Sequence, residues 1–128
     1  MATIFLDLTK AFDSVDINIL LKQLYEFKFS NKIINWLEQY LLNRTIILET
    51  STSPIIKLTN RGLPQGCPLS LTLFNLYTTG LHEITSDKTT LIQFADDFGI
   101  TIIGGTLEEI EQMANEALAK ITERLKKY

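Results

Sequence analysis

The chain has 128 residues, 45% of them hydrophobic and 21% charged, with a formal net charge of −3. That composition suits one compact domain burying roughly two-thirds of its unfolded surface, and it excludes a disordered or collagen-like chain. The acidic balance argues against tight nucleic-acid binding through the surface field alone, so such a role needs bound cations or a basic partner segment. A lone cysteine, Cys67, and a lone histidine, His82, exclude an internal disulfide, a cysteine-rich zinc site and paired-histidine metal motifs. "MATIFLDL" has too short an apolar run and no basic flank for a signal peptide, and no stretch reaches membrane-spanning length. The expectation is a soluble intracellular protein, nuclear or cytoplasmic, with no membrane partner.

Residues 2–8, "ATIFLDL", are β-branched and apolar up to Asp7, which predicts a central strand ending near that carboxylate. In "DINILLKQLYEFKF", Ile17, Leu20, Leu21, Leu24 and Phe27 recur at helical spacing behind Asp16, a plausible N-cap. A second helix is predicted from Ser30, with Ile33, Ile34, Leu37, Tyr40 and Leu41 as its stripe and Trp36 beside it. "RTIILET" and "PIIKLT", separated by "STSP", predict a hairpin at a sheet edge. "NRGLPQGCP" holds two glycines and two prolines, which demands a loop of special backbone angles. From about Leu69 to Ile84 the pattern is helical. "TTLIQFA" and "FGITII" then predict two strands around a tight turn. A capping box, Thr106 to Glu109, opens a last helix with Leu107, Ile110, Ala114, Ala117, Ile121 and Leu125 inward. It runs out in "RLKKY", and both ends of the chain look cut. The order of elements predicts an α+β fold, an antiparallel sheet backed by helices, as a single domain over residues 1–128.

The chemistry gathers around "FADD". Neighbouring strand residues point to opposite faces, so Asp96 and Asp97 share a site only if a turn relaxes that alternation. Asp7, at the end of an adjacent strand, would complete a cluster of carboxylates. Such groups repel one another unless a divalent cation neutralises them, and magnesium is the natural hard ion for oxygen ligands. Taken singly, the Asp-Asp pair reads as a solvated turn and Asp7 as a strand-end residue. The combination of Gly62, Pro64, Gln65, Gly66 and Pro68 in one loop goes beyond what a connection requires. It lets backbone approach a ligand closely and offers the Gln65 amide as donor and acceptor.

In this order, "FLDLTKAFDSVD", "GLPQGCPLSLTLFNLY" and "FADD" resemble motifs A, B and C of reverse transcriptases over nearly the whole chain. The non-LTR (LINE-type) retrotransposon branch is the nearest match, and the arthropod-type elements look particularly similar. The resemblance implies a reverse-transcriptase palm with a ferredoxin/RRM-like core. It also implies RNA-directed DNA polymerase activity: two-metal transfer of nucleotides from dNTPs to a primer 3′-OH on an RNA template. Asp7, Asp96 and Asp97 would hold two Mg2+ ions, with Mn2+ a possible substitute. Phe12 matches the aromatic that screens the sugar 2′ position, and Leu63, Pro64, Gln65 and Gly66 match the substrate-facing loop. Asp13 has no catalytic role by this match, and Cys67 reads as a small loop residue.

The chain departs from the family at Leu71, where proline is usual, and at Phe94, where tyrosine is commoner. The family's fingers and thumb, with their basic residues, have no counterpart here. That predicts a truncated palm of a longer polyprotein, inactive by itself. Two other readings stay open: a non-catalytic transposon remnant or domesticated nucleic-acid or protein interaction module, and an unrelated metal-dependent phosphotransfer enzyme.

Overall fold

The computed structural model describes residues 1–126. In chain order it contains β1 (Ala2–Asp7), α1 (Ala11–Ser14), α2 (Ile17–Glu26), α3 (Asn31–Leu41), β2 (Arg44–Leu48), β3 (Ile55–Thr59) and α4 (Pro68–Tyr77). A 3₁₀ helix (Thr79–Ile84), β4 (Thr89–Phe94), β5 (Asp97–Ile102) and α5 (Leu107–Leu125) follow. The fold is α+β, with antiparallel sheets backed by helices. Its contacts gather in two compact units: Met1–Ala11 with the chain from Thr78 onward, and Phe12–Tyr77. Among the described residues no helix is long and apolar enough to cross a membrane.

In the first unit the strands lie in the order β1-β5-β4, each pair antiparallel. The register runs from Ala2↔Ile102 to Asp7↔Asp97 on one side of β5, and from Thr89↔Ile102 to Phe94↔Asp97 on the other. β1, expected at the centre, is an edge strand, and β5 is central. The difference follows from burial: on β5, Phe98, Ile100 and Ile102 are buried, whereas β1 alternates between half-buried and exposed residues along its whole length. Leu81 and Ile84 of the 3₁₀ helix and Ala117 and Ile121 of α5 supply the buried residues of the helical layer. Each fully buried Leu, Ile or Phe side chain stabilises the unit by about 1.5–3 kcal/mol over an exposed one.

The expected helix over residues 69–84 is two pieces, because the chain leaves α-helical geometry at Thr78 and continues as a 3₁₀ helix. At α5, Thr106 Oγ1 accepts from Glu109 N at 3.2 Å, the first half of the capping box. Glu109 Oε2 closes the second half on Gly105 N at 2.8 Å, one residue earlier than the standard box. Leu107, expected in the buried stripe, is 76% exposed. In the first turn of α5 the inward position falls to Ile110, which is half-buried. The predicted continuation into Lys127 and Tyr128 lies outside the described residues.

The second unit is built on α2, α3 and α4. Asp16 caps α2 by accepting from Asn18 N at 3.0 Å and Ile19 N at 3.3 Å. Ser30 caps α3 by accepting from Ile33 N at 3.4 Å. Asp16 is the cap expected from sequence, and Ser30, from which the second helix was expected to run, acts as its cap; each satisfies helix-end N–H groups with a local side chain. Val15, Ile17, Leu20, Leu24, Leu37, Leu41, Leu73 and Phe74 form the buried core. The α3 stripe is narrower than expected: Leu37 and Leu41 are buried, but Ile33 and Tyr40 are exposed. Trp36 and Tyr40 stack on the surface with ring centroids 5.4 Å apart. The hairpin β2–β3, expected at the edge of a sheet, is a two-stranded sheet of its own. On it Ile46, Ile47, Ile55, Ile56 and Leu58 are exposed.

Candidate active site

Register decides which carboxylates meet. Asp7, the last residue of β1, lies directly opposite Asp97, the first residue of β5. Opposed residues on an antiparallel pair share a face, with Cβ atoms about 4.5–5.5 Å apart. The alternation on β5 puts Phe98 into the core and Asp97 on the open face, where both aspartates are solvent-exposed. Two negative charges placed opposite one another destabilise a ladder unless a cation lies between them.

Asp96 lies in the two-residue turn with Ala95 and is half-buried. Ala95 has φ 55, a left-handed conformation costing about 1–2 kcal/mol for a residue with a Cβ. The turn is braced from the inward face of β4: Gln93 Nε2 donates to Ala95 O at 3.0 Å and to Thr78 Oγ1 at 2.9 Å. Sequence reasoning missed this brace. Its signal was a glutamine two residues beyond the buried Leu91, at the inward phase of β4.

Among the described residues no three His, Cys, Asp or Glu side chains form a group that could hold a metal ion. Of the expected trio, pairing therefore joins Asp7 to Asp97, with Asp96 next along the chain. A facing pair of exposed carboxylates fits Mg2+, which is commonly held by one or two carboxylates while substrate phosphates and water fill its other positions. The open face around the pair carries an aromatic shelf. Phe5 is 83% and Phe94 79% exposed. Phe94 pairs with Asp97, and Phe5 and Ile92 both pair with Gly99. Gly99 leaves the shelf shallow there, since a Cβ added to it would meet the Phe5 ring at 3.8 Å.

In the second unit the glycine-rich loop is held from below. Gly62 N donates to Val15 O and Leu63 N to Phe12 O, both at 2.9 Å. Gly62 has φ 77, and a Cβ there would fall 2.9 Å from Asp13 Cα and 3.0 Å from Asp13 O. Only glycine fits such a close backbone approach. Leu63, counted among the substrate-facing residues, is 2% exposed, so its side chain anchors the loop in the core. Pro64 is half-buried, and its carbonyl accepts from Ser70 Oγ at 2.6 Å. Gln65 and Gly66 stand exposed at the tip, and Gln65 Nε2 donates to Asp13 Oδ1 at 3.2 Å. Phe12 stacks on Phe74 with centroids 4.6 Å apart and stays half-buried.

Arg44, which sequence reasoning passed over, ties the loop to the hairpin. Its guanidinium donates to Leu41 O at 3.0 Å, to Arg61 O at 2.8 Å and to Gly62 O. At the start of α4, the Tyr40 hydroxyl donates to Cys67 Sγ at 3.5 Å. That bond, with backbone N–H groups of Leu69 and Ser70, holds the Cys67 thiol below its ordinary pKa.

An α+β fold with facing aspartates at a hairpin, and a separate glutamine-tipped loop between glycines, defines a class that the whole sequence supports. Residues 2–128 match the family described as reverse transcriptase (RNA-dependent DNA polymerase), and the chain belongs to that family. Among solved structures it is similar to an apo telomerase from Candida tropicalis truncated from its C-terminal domain, with a TM-score of 0.65 at 18% identity. The match covers 91% of this chain and 26% of the telomerase chain, so this chain spans about a quarter of that protein's length. No curated protein sequence matches it.

Proposed function

We propose that the chain is the catalytic palm of an RNA-directed DNA polymerase, which joins nucleotides from dNTPs to a primer 3′-OH on an RNA template. The observation that carries this reading is the opposition of Asp7 and Asp97 on the open sheet face, one residue from Asp96. These three aspartates are the metal-holding and catalytic residues of the proposal. Bound Mg2+, or Mn2+ in its place, would activate the primer hydroxyl and offset charge on the leaving pyrophosphate. Asp7 and Asp97 would supply facing oxygens, and Asp96, which forms no three-residue group with them here, enters the proposal on the strength of the "FADD" motif. Gln93 and Thr78 hold the turn at Asp96 in place. Phe12 screens the sugar 2′ position, and Pro64, Gln65 and Gly66 face template and nucleotide with Leu63 as their anchor. The segments "FLDLTKAFDSVD" and "GLPQGCPLSLTLFNLY" support the non-LTR retrotransposon branch, with a nuclear or cytoplasmic site of action. Fingers and thumb segments complete the polymerase.

The test is paramagnetic broadening by Mn2+ in amide spectra of the chain. Signals of Asp7, Asp96, Asp97 and their neighbours are expected to broaden at low Mn2+, and Asp7→Asn to abolish the effect. Undiminished broadening in Asp7→Asn, or none in the native chain, would refute the site and favour a non-catalytic interaction module. Because the net charge is −3, primer extension by the 128 residues alone is expected to be weak. Processive, Asp96-dependent synthesis by this chain alone would overturn that expectation.

A further inference from the structure

Among the described residues the hairpin β2–β3 is a two-stranded sheet, so each of its strands keeps one edge whose backbone N–H and C=O groups meet no other strand. Its side chains are largely apolar on both faces: Ile46, Ile47, Leu48, Ile55, Ile56 and Leu58 are between 54% and 70% exposed. A lone two-stranded hairpin is marginally stable in water, and an open edge is a template for another strand.

The two edges are not equivalent. β3 begins directly after Pro54 and carries Lys57 at its middle, and a proline and a central lysine are residues that keep an edge strand from pairing. β2 carries neither. Between Arg44 and Glu49 lie only Thr45, Ile46, Ile47 and Leu48, a run of high β propensity without charge, glycine or proline.

Symmetry sharpens the difference. When two identical strands pair antiparallel about a two-fold axis and use all five residues, the middle residue of each lies opposite its own copy. For β3 that rung is Lys57 against Lys57 of the second copy, two like charges directly opposed, which destabilises the pair. For β2 it is Ile46 against Ile46, flanked by Thr45 against Ile47 and by Arg44 against Leu48. No rung of that pairing opposes two charges, and its three central rungs bring β-branched side chains together. The Arg44 guanidinium is already bound to carbonyls of its own copy.

We infer that β2 is a pairing edge for a second copy of this chain, giving a two-fold dimer with a continuous antiparallel sheet in the order β3-β2-β2-β3. What favours a second copy over a foreign strand is that the segment is complementary to itself from end to end. Main-chain hydrogen bonds across the β2–β2 rungs supply the affinity, and Ile46 and Ile47 of both copies gain cross-strand neighbours. The contact closes at two copies, because the edge left on each side is β3, guarded by Pro54 and Lys57. Five residues a side make an interface below about 1,200 Å², which predicts a weak, concentration-dependent dimer. The inference is independent of the polymerase reading, since no residue of the carboxylate site takes part.

Sedimentation velocity of the full chain over a concentration series, in EDTA, tests this. A reversible monomer–dimer equilibrium is expected. Ile46→Lys copies onto β2 the lysine that guards β3 and opposes like charges at the two-fold axis, so the dimer affinity should fall at least about tenfold. Ile46→Glu should do the same. An equimolar mixture of the two variants should recover the dimer, which neither an unfolded hairpin nor a general loss of apolar surface could produce. Ile56→Lys, on β3 and off the β2 edge, should leave the dimer intact. Monomer at every concentration, growth without limit past two copies, or no recovery in the mixture would overturn the inference. Loss of the dimer in Ile56→Lys would overturn the assignment to the β2 edge. Because no metal is present, neither result bears on the Mn2+ test of the carboxylates.

Discussion

Gly62→Ala separates two costs that usually arrive together, conformation and collision. Gly62 and Gly66 have nearly the same backbone angle, φ 77 and φ 80, but different surroundings. A Cβ on Gly66 meets nothing within 4 Å, whereas one on Gly62 falls 2.9 Å from Asp13 Cα and 3.0 Å from Asp13 O. Alanine in the left-handed region costs about 1–2 kcal/mol, partly offset by about 0.4–1 kcal/mol because glycine loses more freedom on folding. Gly66→Ala should therefore destabilise by about 1 kcal/mol or less. Gly62→Ala carries the same conformational cost, plus a backbone overlap that no rotamer can relieve. Overpacking of that kind adds about 1–3 kcal/mol, for a total of about 1–4 kcal/mol. The separation also breaks the Gly62 N to Val15 O and Leu63 N to Phe12 O bonds that seat the loop. Urea unfolding followed by circular dichroism measures both variants against the native chain, with equal m-values required. Equal destabilisation by the two substitutions would refute the claim that close approach to Asp13, and not the turn alone, requires glycine at 62.

Three further outcomes are expected. Ala95→Gly relieves the left-handed strain in the carboxylate turn and should stabilise the chain by up to about 1 kcal/mol, seen as a raised melting temperature; a lowered one would refute the strain. Alkylation of Cys67 by iodoacetamide should set in at lower pH than for a free thiol, because the Tyr40 hydroxyl stabilises the thiolate. Tyr40→Phe removes that donor and should move the midpoint up; no movement would show that the backbone N–H groups alone hold it. Glu109 has its carboxyl held below the usual 4.5 by Lys88 and by the Gly105 N–H. A lowered folded pKa means its contribution is complete above the unfolded value and is lost as pH falls through the folded one. Exchange protection of the Gly105 amide should therefore persist at neutral pH and decline in acid below 4.5, and Glu109→Gln should remove that pH dependence.

Where an interaction closes within a few residues, the sequence was legible. Asp16 and Thr106 were identified as caps, and Ser30 as the start of a helix, because each bonds N–H groups two or three positions ahead. The flanking strands of "FADD" and the glycine demand at residues 62 and 66 were legible for the same reason. The inward phase of α5 misled at Leu107, and the break at Thr78 was invisible, because burial in the first and last turns depends on what the helix packs against. The role of Arg44 was hidden because its acceptors are carbonyls: Leu41 is near in sequence, but Arg61 and Gly62 join it only once the hairpin closes.

The order and spacing of carboxylates, glycines and apolar runs belong to the sequence, and they specify the α+β class, the family and the candidate residues. Which aspartate faces Asp7 does not. Strand side chains alternate with a period of two, so a slip of β1 by one residue against β5, whose phase its pairing with β4 also holds, would set Asp7 opposite a neighbour of Asp97 and turn it toward the packed face. Burial of Phe98, Ile100 and Ile102 against the helices selects one register, and that packing, assembled from segments about 90 residues apart, sets Asp7 against Asp97.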